Sequence, residues 1–159
     1  MFPIKTSYSL PTSEGKFGAV RTHDIHTGID IYCEEGTEIF AIEPGLVVAV
    51  CDFTGQAAGS PWWNDTRAVM AEGKSGVVLY GEIDPAVKVG DPLVEEALVG
   101  KVKKVLKKDK GKPCCMLHLE CYTHGTRTPV WWFLEQEKPG SLINPEFLLK
   151  EKTHHVDNS

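Results

Sequence analysis

The segment His26-Thr27-Gly28-Ile29-Asp30 places an imidazole four residues before a carboxylate, with a glycine between them. Glycine permits a sharp backbone path there, which would let both side chains converge on one point. Far downstream, Lys112 to Tyr122 reads as a strand with period-two alternation. Cys114, Met116, His118, Glu120 and Tyr122 share one face, while Cys115, Leu117, Leu119 and Cys121 share the other. The second face is uniformly apolar and is expected to be core, so His118 projects from the opposite side, where a groove can form. Two imidazoles and one carboxylate make a zinc donor set that leaves a fourth position for water. The same spacing also fits a plainer arrangement, a surface His26–Asp30 pair and a hydrogen-bonded His118.

The elements that must position these residues are short. The chain has 159 residues, 42% apolar and 25% charged, the balance of one ordinary globular domain. We take 1–152 as that domain and 153–159 as a frayed polar tail. Turn signals at Glu14-Gly15, Glu35-Gly36, Pro44-Gly45, Glu72-Gly73, Gly90-Asp91 and Pro139-Gly140 recur between short β-rich runs. Those runs are Glu38 to Ile42, Leu46 to Cys51, Gly76 to Ile83 and Ala97 to Val105. The pattern predicts an all-β fold, a sandwich or barrel of mostly antiparallel strands. A short C-terminal helix is expected after Asn144, with Pro145 at its first position. Phe53 to Thr66, which contains Trp62-Trp63, reads as a long loop of the kind that binds ligands.

Other features narrow the function. A net charge of −5 argues against a nucleic-acid partner, although Lys101 to Lys112 holds seven of the 17 basic residues and reads as a solvated strand edge. No apolar run approaches the roughly 20 residues needed to cross a bilayer, and Met1 to Lys5 lacks the layout of a secretory signal. Without a signal, a cytoplasmic protein released by lysis, as a phage-encoded enzyme would be, is the expectation. The five cysteines lack metal-knuckle spacing and are expected as reduced, mostly buried thiols. Trp131-Trp132 and Trp62-Trp63 could stack on substrate. Adjacent strand residues face opposite ways, so at most one of each pair is expected to do so.

In order, Phe17-Gly18, Arg21, HTGIDI, GTEIFAIEPGLVVAV, VVLYGEI, VKVGD, MLHLE and the closing INPEFLL resemble lysostaphin-type (LytM-domain) zinc peptidases. The resemblance covers roughly Phe17 to Leu149. It implies a β-sandwich groove of the duplicated-hybrid-motif type, one Zn2+ held by His26, Asp30 and His118, and peptide substrates from bacterial cell-wall peptidoglycan. Glu120 would orient a ligand. Sugar-transport phosphocarrier domains carry a similar His-x-Gly-Ile-Asp segment, but here it precedes the GTEIFAIEPG hairpin, which is the peptidase order.

Two departures stand out. The family's His-x-His strand motif has a catalytic first histidine, and Met116 occupies that place. A second catalytic histidine is expected in a Tyr-x-His-Leu segment, where this chain reads Tyr80-Gly81-Glu82-Ile83. Met116 can neither shuttle a proton nor donate a hydrogen bond. Glu82 can act as a general base near a metal-activated water, or be only a solvated strand-end residue. His23, three residues before His26, is the other candidate for the missing imidazole. Two functions follow: a zinc peptidase or amidase with Glu82 or His23 as base, or an inactive zinc-binding relative that binds cell-wall peptide or a protein partner.

Overall fold

The computed structural model describes residues 3–5, 15–108, 111 and 113–149. Among them the chain forms β1 (Ile29–Tyr32), β2 (Glu38–Phe40), β3 (Gly45–Thr54), β4 (Thr66–Gly73), β5 (Gly76–Pro85), β6 (Pro92–Leu93), β7 (Leu98–Val102), β8 (Met116–Tyr122) and β9 (Leu142–Ile143). The main sheet runs β1-β8-β5-β4-β3-β6, with β9 on β8 and the β2–β7 pair joined through β5. The strand pairings among the described residues are antiparallel. The fold is therefore all-β, as the turn spacing requires. None of the helices among the described residues is long and apolar enough to cross a membrane.

Alternation divides the side chains between two apolar clusters. Leu117, Leu119 and Cys121 of β8 join Ile29 and Ile31 of β1 and Val78 and Tyr80 of β5 in the larger core. Val77, Leu79 and Tyr122 face the other way, into a smaller cluster with Met70 and Leu142. His118 and Glu120 share that second direction, because Gly81 and Leu79 are their partners across β5. A short helix at 146–149 closes the chain and packs Leu148 and Leu149 into the larger core. Asn144 Oδ1 caps it, accepting a 3.0 Å hydrogen bond from the Glu146 amide.

Several expectations need correction. β4 was not anticipated, and β3 extends to Thr54, so the loop before Thr66 is shorter than expected and includes a 3-10 turn at Gln56–Ala58. The strand expected from Lys112 begins at Met116, and that expected over Ala97 to Val105 covers Leu98–Val102. Of the five free cysteines, only Cys115 and Cys121 are fully buried. The tail at 153–159, Lys110 and Lys112 lie outside the described residues.

Candidate metal centre and its cleft

Three strands present the site. In the ladder, Asp30 of β1 lies opposite His118 of β8, and His118 lies opposite Gly81 of β5, so all three point to one face. His26 enters from the turn before β1, where its amide donates to the Ala19 carbonyl. Gly28 holds the turn against β8. A Cβ on Gly28 would lie 2.3 Å from the Leu119 carbonyl oxygen and 2.9 Å from His118 Nε2. Gly28 is not among the residues with a positive φ. A close approach of two chain segments, not the sharp backbone expected from sequence, is what demands glycine at this position.

The donor atoms converge. His118 Nδ1 is 2.8 Å from Asp30 Oδ1 and 3.2 Å from His26 Nε2, and His26 Nε2 is 3.3 Å from Asp30 Oδ1. Donors bound at about 2.0–2.1 Å in a tetrahedral zinc site lie about 3.3 Å apart, so the three fit such a cation with little movement. His26, Asp30 and His118 are the residues able to hold a metal here, and all three are buried.

Surrounding groups fix each donor. The Lys16 carbonyl oxygen lies 2.9 Å from His26 Nδ1, so that nitrogen carries the proton and Nε2 keeps its lone pair. Glu120 Oε2 lies 2.7 Å from His118 Nε2, which turns Nδ1 towards the other donors. Glu120 also accepts from the Thr27 and Tyr122 hydroxyls, and the Tyr122 oxygen accepts from the Val130 amide at 3.1 Å. Arg21 Nη2 donates to Asp30 Oδ2 at 3.3 Å. Such outer contacts fix ring orientation and raise ligand basicity.

Electrostatics follow from this packing. Burial raises the pKa of the Asp30 carboxyl, but its hydrogen bonds to His118 and His26 outweigh that and hold it well below the usual range. Burial opposes a charged His118, yet the hydrogen bonds to Asp30 and Glu120 raise its pKa well above that of a free imidazole. The metal-free site is thus an imidazolium clasped between two carboxylates.

Glu82 reaches this face through an irregularity. Tyr80 pairs with Val69 and Ile83 with Arg67, so three residue steps on β5 oppose two on β4. This bulge puts both Tyr80 and Ile83 into the larger core, and Glu82 adopts the left-handed region at φ 63°. Regular pairing would have turned Glu82 towards the core with Tyr80. Instead it lines two clefts, one also lined by His118 and the other by Asp30. Its Oε2 is buried with no hydrogen-bond partner among the described residues. Burial and the negative charge of Asp30 push its pKa up to about 8, against the opposing charges of His118 and Arg21.

The two clefts meet at Arg21, Trp63 and Glu82. One has a volume of about 210 Å³, and Phe53, Val130, Trp131 and Trp132 wall it. The other, about 870 Å³, is bounded by Tyr32, Leu106 and Met116. His118 therefore forms part of a cleft floor, although it is more deeply buried than an open groove implies. Met116 lines the second cleft, as its face requires. His23 is exposed and lines neither cleft. From the first tryptophan pair only Trp63 faces the clefts, but both Trp131 and Trp132 do, because that segment is not a strand.

Sequence reasoning passed over Thr27, Tyr122 and Phe53 as site residues. Tyr122 was legible in the β8 alternation, and Thr27 adjoins His26. Phe53 carried no signal: its ring lies 5.2 Å from that of His118, in space that a side chain at Gly81 would fill.

No family model matches the sequence, and no curated protein matches it. Solved structures share the fold. The catalytic domain of EnpA, a prophage-encoded protein of Enterococcus faecalis crystallised as a point variant, aligns with a TM-score of 0.58 at 23% identity over 91% of this chain and 95% of that one. The catalytic domain of lysostaphin, an antimicrobial peptidase from Staphylococcus simulans, gives a TM-score of 0.58 at 17% identity over 90% of this chain and 92% of its own. A zinc-containing peptidase from Vibrio cholerae gives 0.53 at 17% identity over 87% of this chain and 40% of that protein. The chain thus has the fold of lysostaphin-type peptidases, as the motif order implied.

Proposed function

We propose that this domain is a zinc-dependent peptidase acting on the peptides of bacterial cell-wall peptidoglycan. The observation that carries the reading is the convergence of His26 Nε2, Asp30 Oδ1 and His118 Nδ1 within 3.3 Å of one another beside a cleft. The shared fold with the peptidase lysostaphin supports the reaction class. Zinc held there would supply Lewis acidity towards the scissile carbonyl and the attacking water.

The chain's own residues supply the rest. Glu82 takes the proton from the attacking water and returns it to the leaving amine. A carboxylate beside the reacting bond can carry the proton in both directions of that transfer. Its buried, unpartnered Oε2 is an acceptor waiting for a donor. Asp30, tied by Arg21, and His118, tied by Glu120, keep the donor set rigid during turnover. Phe53 and the Trp131-Trp132 segment restrict water around the reacting bond.

A second reading retains zinc and the cleft but not hydrolysis, so that the domain binds cell-wall peptide or a protein partner. It is favoured by Met116, which leaves no proton donor at the place where the family carries a catalytic imidazole. Incubating purified peptidoglycan with zinc-loaded protein, with a chelator-treated control, separates the two. New peptide termini that form only with metal support the peptidase, and unchanged material in both samples supports the binding relative.

A further inference from the structure

We infer that the smaller cleft binds a protonated amine of the substrate, held between the Asp24 carboxylate and the aromatic walls. The inference deepens the proposed function and rests on it for the kind of chain bound, a peptide.

The cleft's chemistry is uneven. Phe53, Trp63, Trp131 and Trp132 supply ring faces, while Asp24 and Asp52 supply carboxylates. Of the cationic side chains that line it among the described residues, Arg21 is paired with Asp30, and His118 is held between Asp30 and Glu120. Asp52 is partly engaged, with Arg67 Nε at 3.8 Å. The Asp24 side chain has no hydrogen-bond or ion-pair partner among the described residues, while its backbone carbonyl accepts from the Arg21 amide at 2.9 Å and its backbone bridges to Phe133. An unpaired carboxylate beside indole rings matches one ligand chemistry well. An ammonium pairs with the carboxylate and is drawn to the ring faces within about 6 Å of their centroids. An anionic group would be repelled by Asp24, and a neutral donor would satisfy its hydrogen bonding but not its charge.

A second observation also points to a bound substrate. The Glu82 side chain that lines it keeps a buried Oε2 without a partner, and a buried orphan acceptor is costly unless a ligand or water donates to it. One aromatic wall is also bare: Trp131 is 61% exposed, and outside the cleft its ring stacks on that of Phe133. A substrate whose charged side-chain amine sits against the rings would cover this bare surface, with its reacting bond left at Glu82. Cell-wall peptides with an unmodified diamino residue are the class this selects, over those whose side-chain amine is already acylated.

The test uses the full chain after chelator treatment, so that binding is read without hydrolysis. Isothermal titration compares a lysine-containing stem-type tetrapeptide with its Nε-acetylated twin. We expect the free amine to bind about 10-fold more tightly, Asp24→Asn to erase that preference, and Asp52→Asn to reduce it. Twins that bind equally to the unmodified chain, or a preference that survives Asp24→Asn, overturn the inference. Should Asp24→Asn fail to fold, salt decides: the preference must shrink in high salt, and a salt-indifferent preference overturns it. Cleavage of both twins by zinc-loaded protein is measured in parallel. Amine-selective binding without cleavage sinks the peptidase reading alone, and equal binding with cleavage sinks this one alone.

Discussion

Glu120 Oε2 lies 2.7 Å from His118 Nε2, and this contact decides which nitrogen of His118 faces Asp30 and His26. Tyr122 and Thr27 hold the same carboxylate from its other sides. The consequence is a donor set oriented before any metal arrives.

Glu120→Gln keeps the shape of this contact but removes its charge. Loss of such outer partners costs about 10- to 100-fold in metal affinity. We expect zinc affinity to fall by that factor in competition with a chelating dye, with the far-ultraviolet spectrum of the β-fold unchanged. Affinity equal to that of the unmodified protein would mean that Glu120 does not orient the ligand.

Gly28→Ala probes the close approach of the His26 turn to β8. Because the new methyl would fall 2.3 Å from a backbone oxygen and 2.9 Å from a ligand ring, the turn must move. Overpacking of this kind costs about 1–3 kcal/mol. Thermal unfolding should drop by several degrees, and bound zinc, read by elemental analysis, should fall below the roughly one equivalent expected of the parent. A variant with full stability and full zinc content would show that the turn is free to shift.

Stability of the metal-free protein should depend on pH in a defined direction. Glu82, pushed up to about 8 from an ordinary value of 4.5, keeps its proton in the folded chain where the unfolded chain has lost it. His118, raised well above 6.5 by Asp30 and Glu120 once burial is overcome, does the same. Both make the folded state bind more protons than the unfolded state across the neutral range, so stability falls as pH rises. Asp30 acts in the opposite sense, and its contribution is lost only in acid, below its ordinary value of 3.8. Melting temperatures in chelator should therefore decline from pH 5 to pH 8. Zinc binding requires His118 to give up a proton, so the shift produced by added zinc should grow over the same interval. A metal-free protein that gains stability towards pH 8 would contradict this assignment.

Much of the site was legible because it depends on local rules. The β8 alternation separated Leu117 and Leu119 from His118 and Glu120, and the structure keeps that division. Turn residues marked most strand ends. What escaped depends on pairing between strands distant in sequence. The bulge that turns Glu82 onto the site face arises from a mismatch between β5 and β4, and β4 itself was not recognised in Thr66–Gly73. Gly28 was recognised as necessary for the wrong reason, since its constraint comes from Leu119, far along the chain. Trp131 and Trp132 both line the cleft because no ladder forces them apart.

The central claim, metal-dependent hydrolysis with Glu82 as the proton carrier, is tested most directly by mass spectrometry of muropeptides incubated with zinc-loaded protein and with zinc-loaded Glu82→Gln. We expect cleavage by the parent that stops in chelator, and a variant that binds the same zinc but cleaves about 10²–10⁴-fold more slowly, the usual weight of general acid–base help. Cleavage that survives Glu82→Gln at the parent's rate, or a zinc-loaded parent that leaves every muropeptide intact, would contradict it.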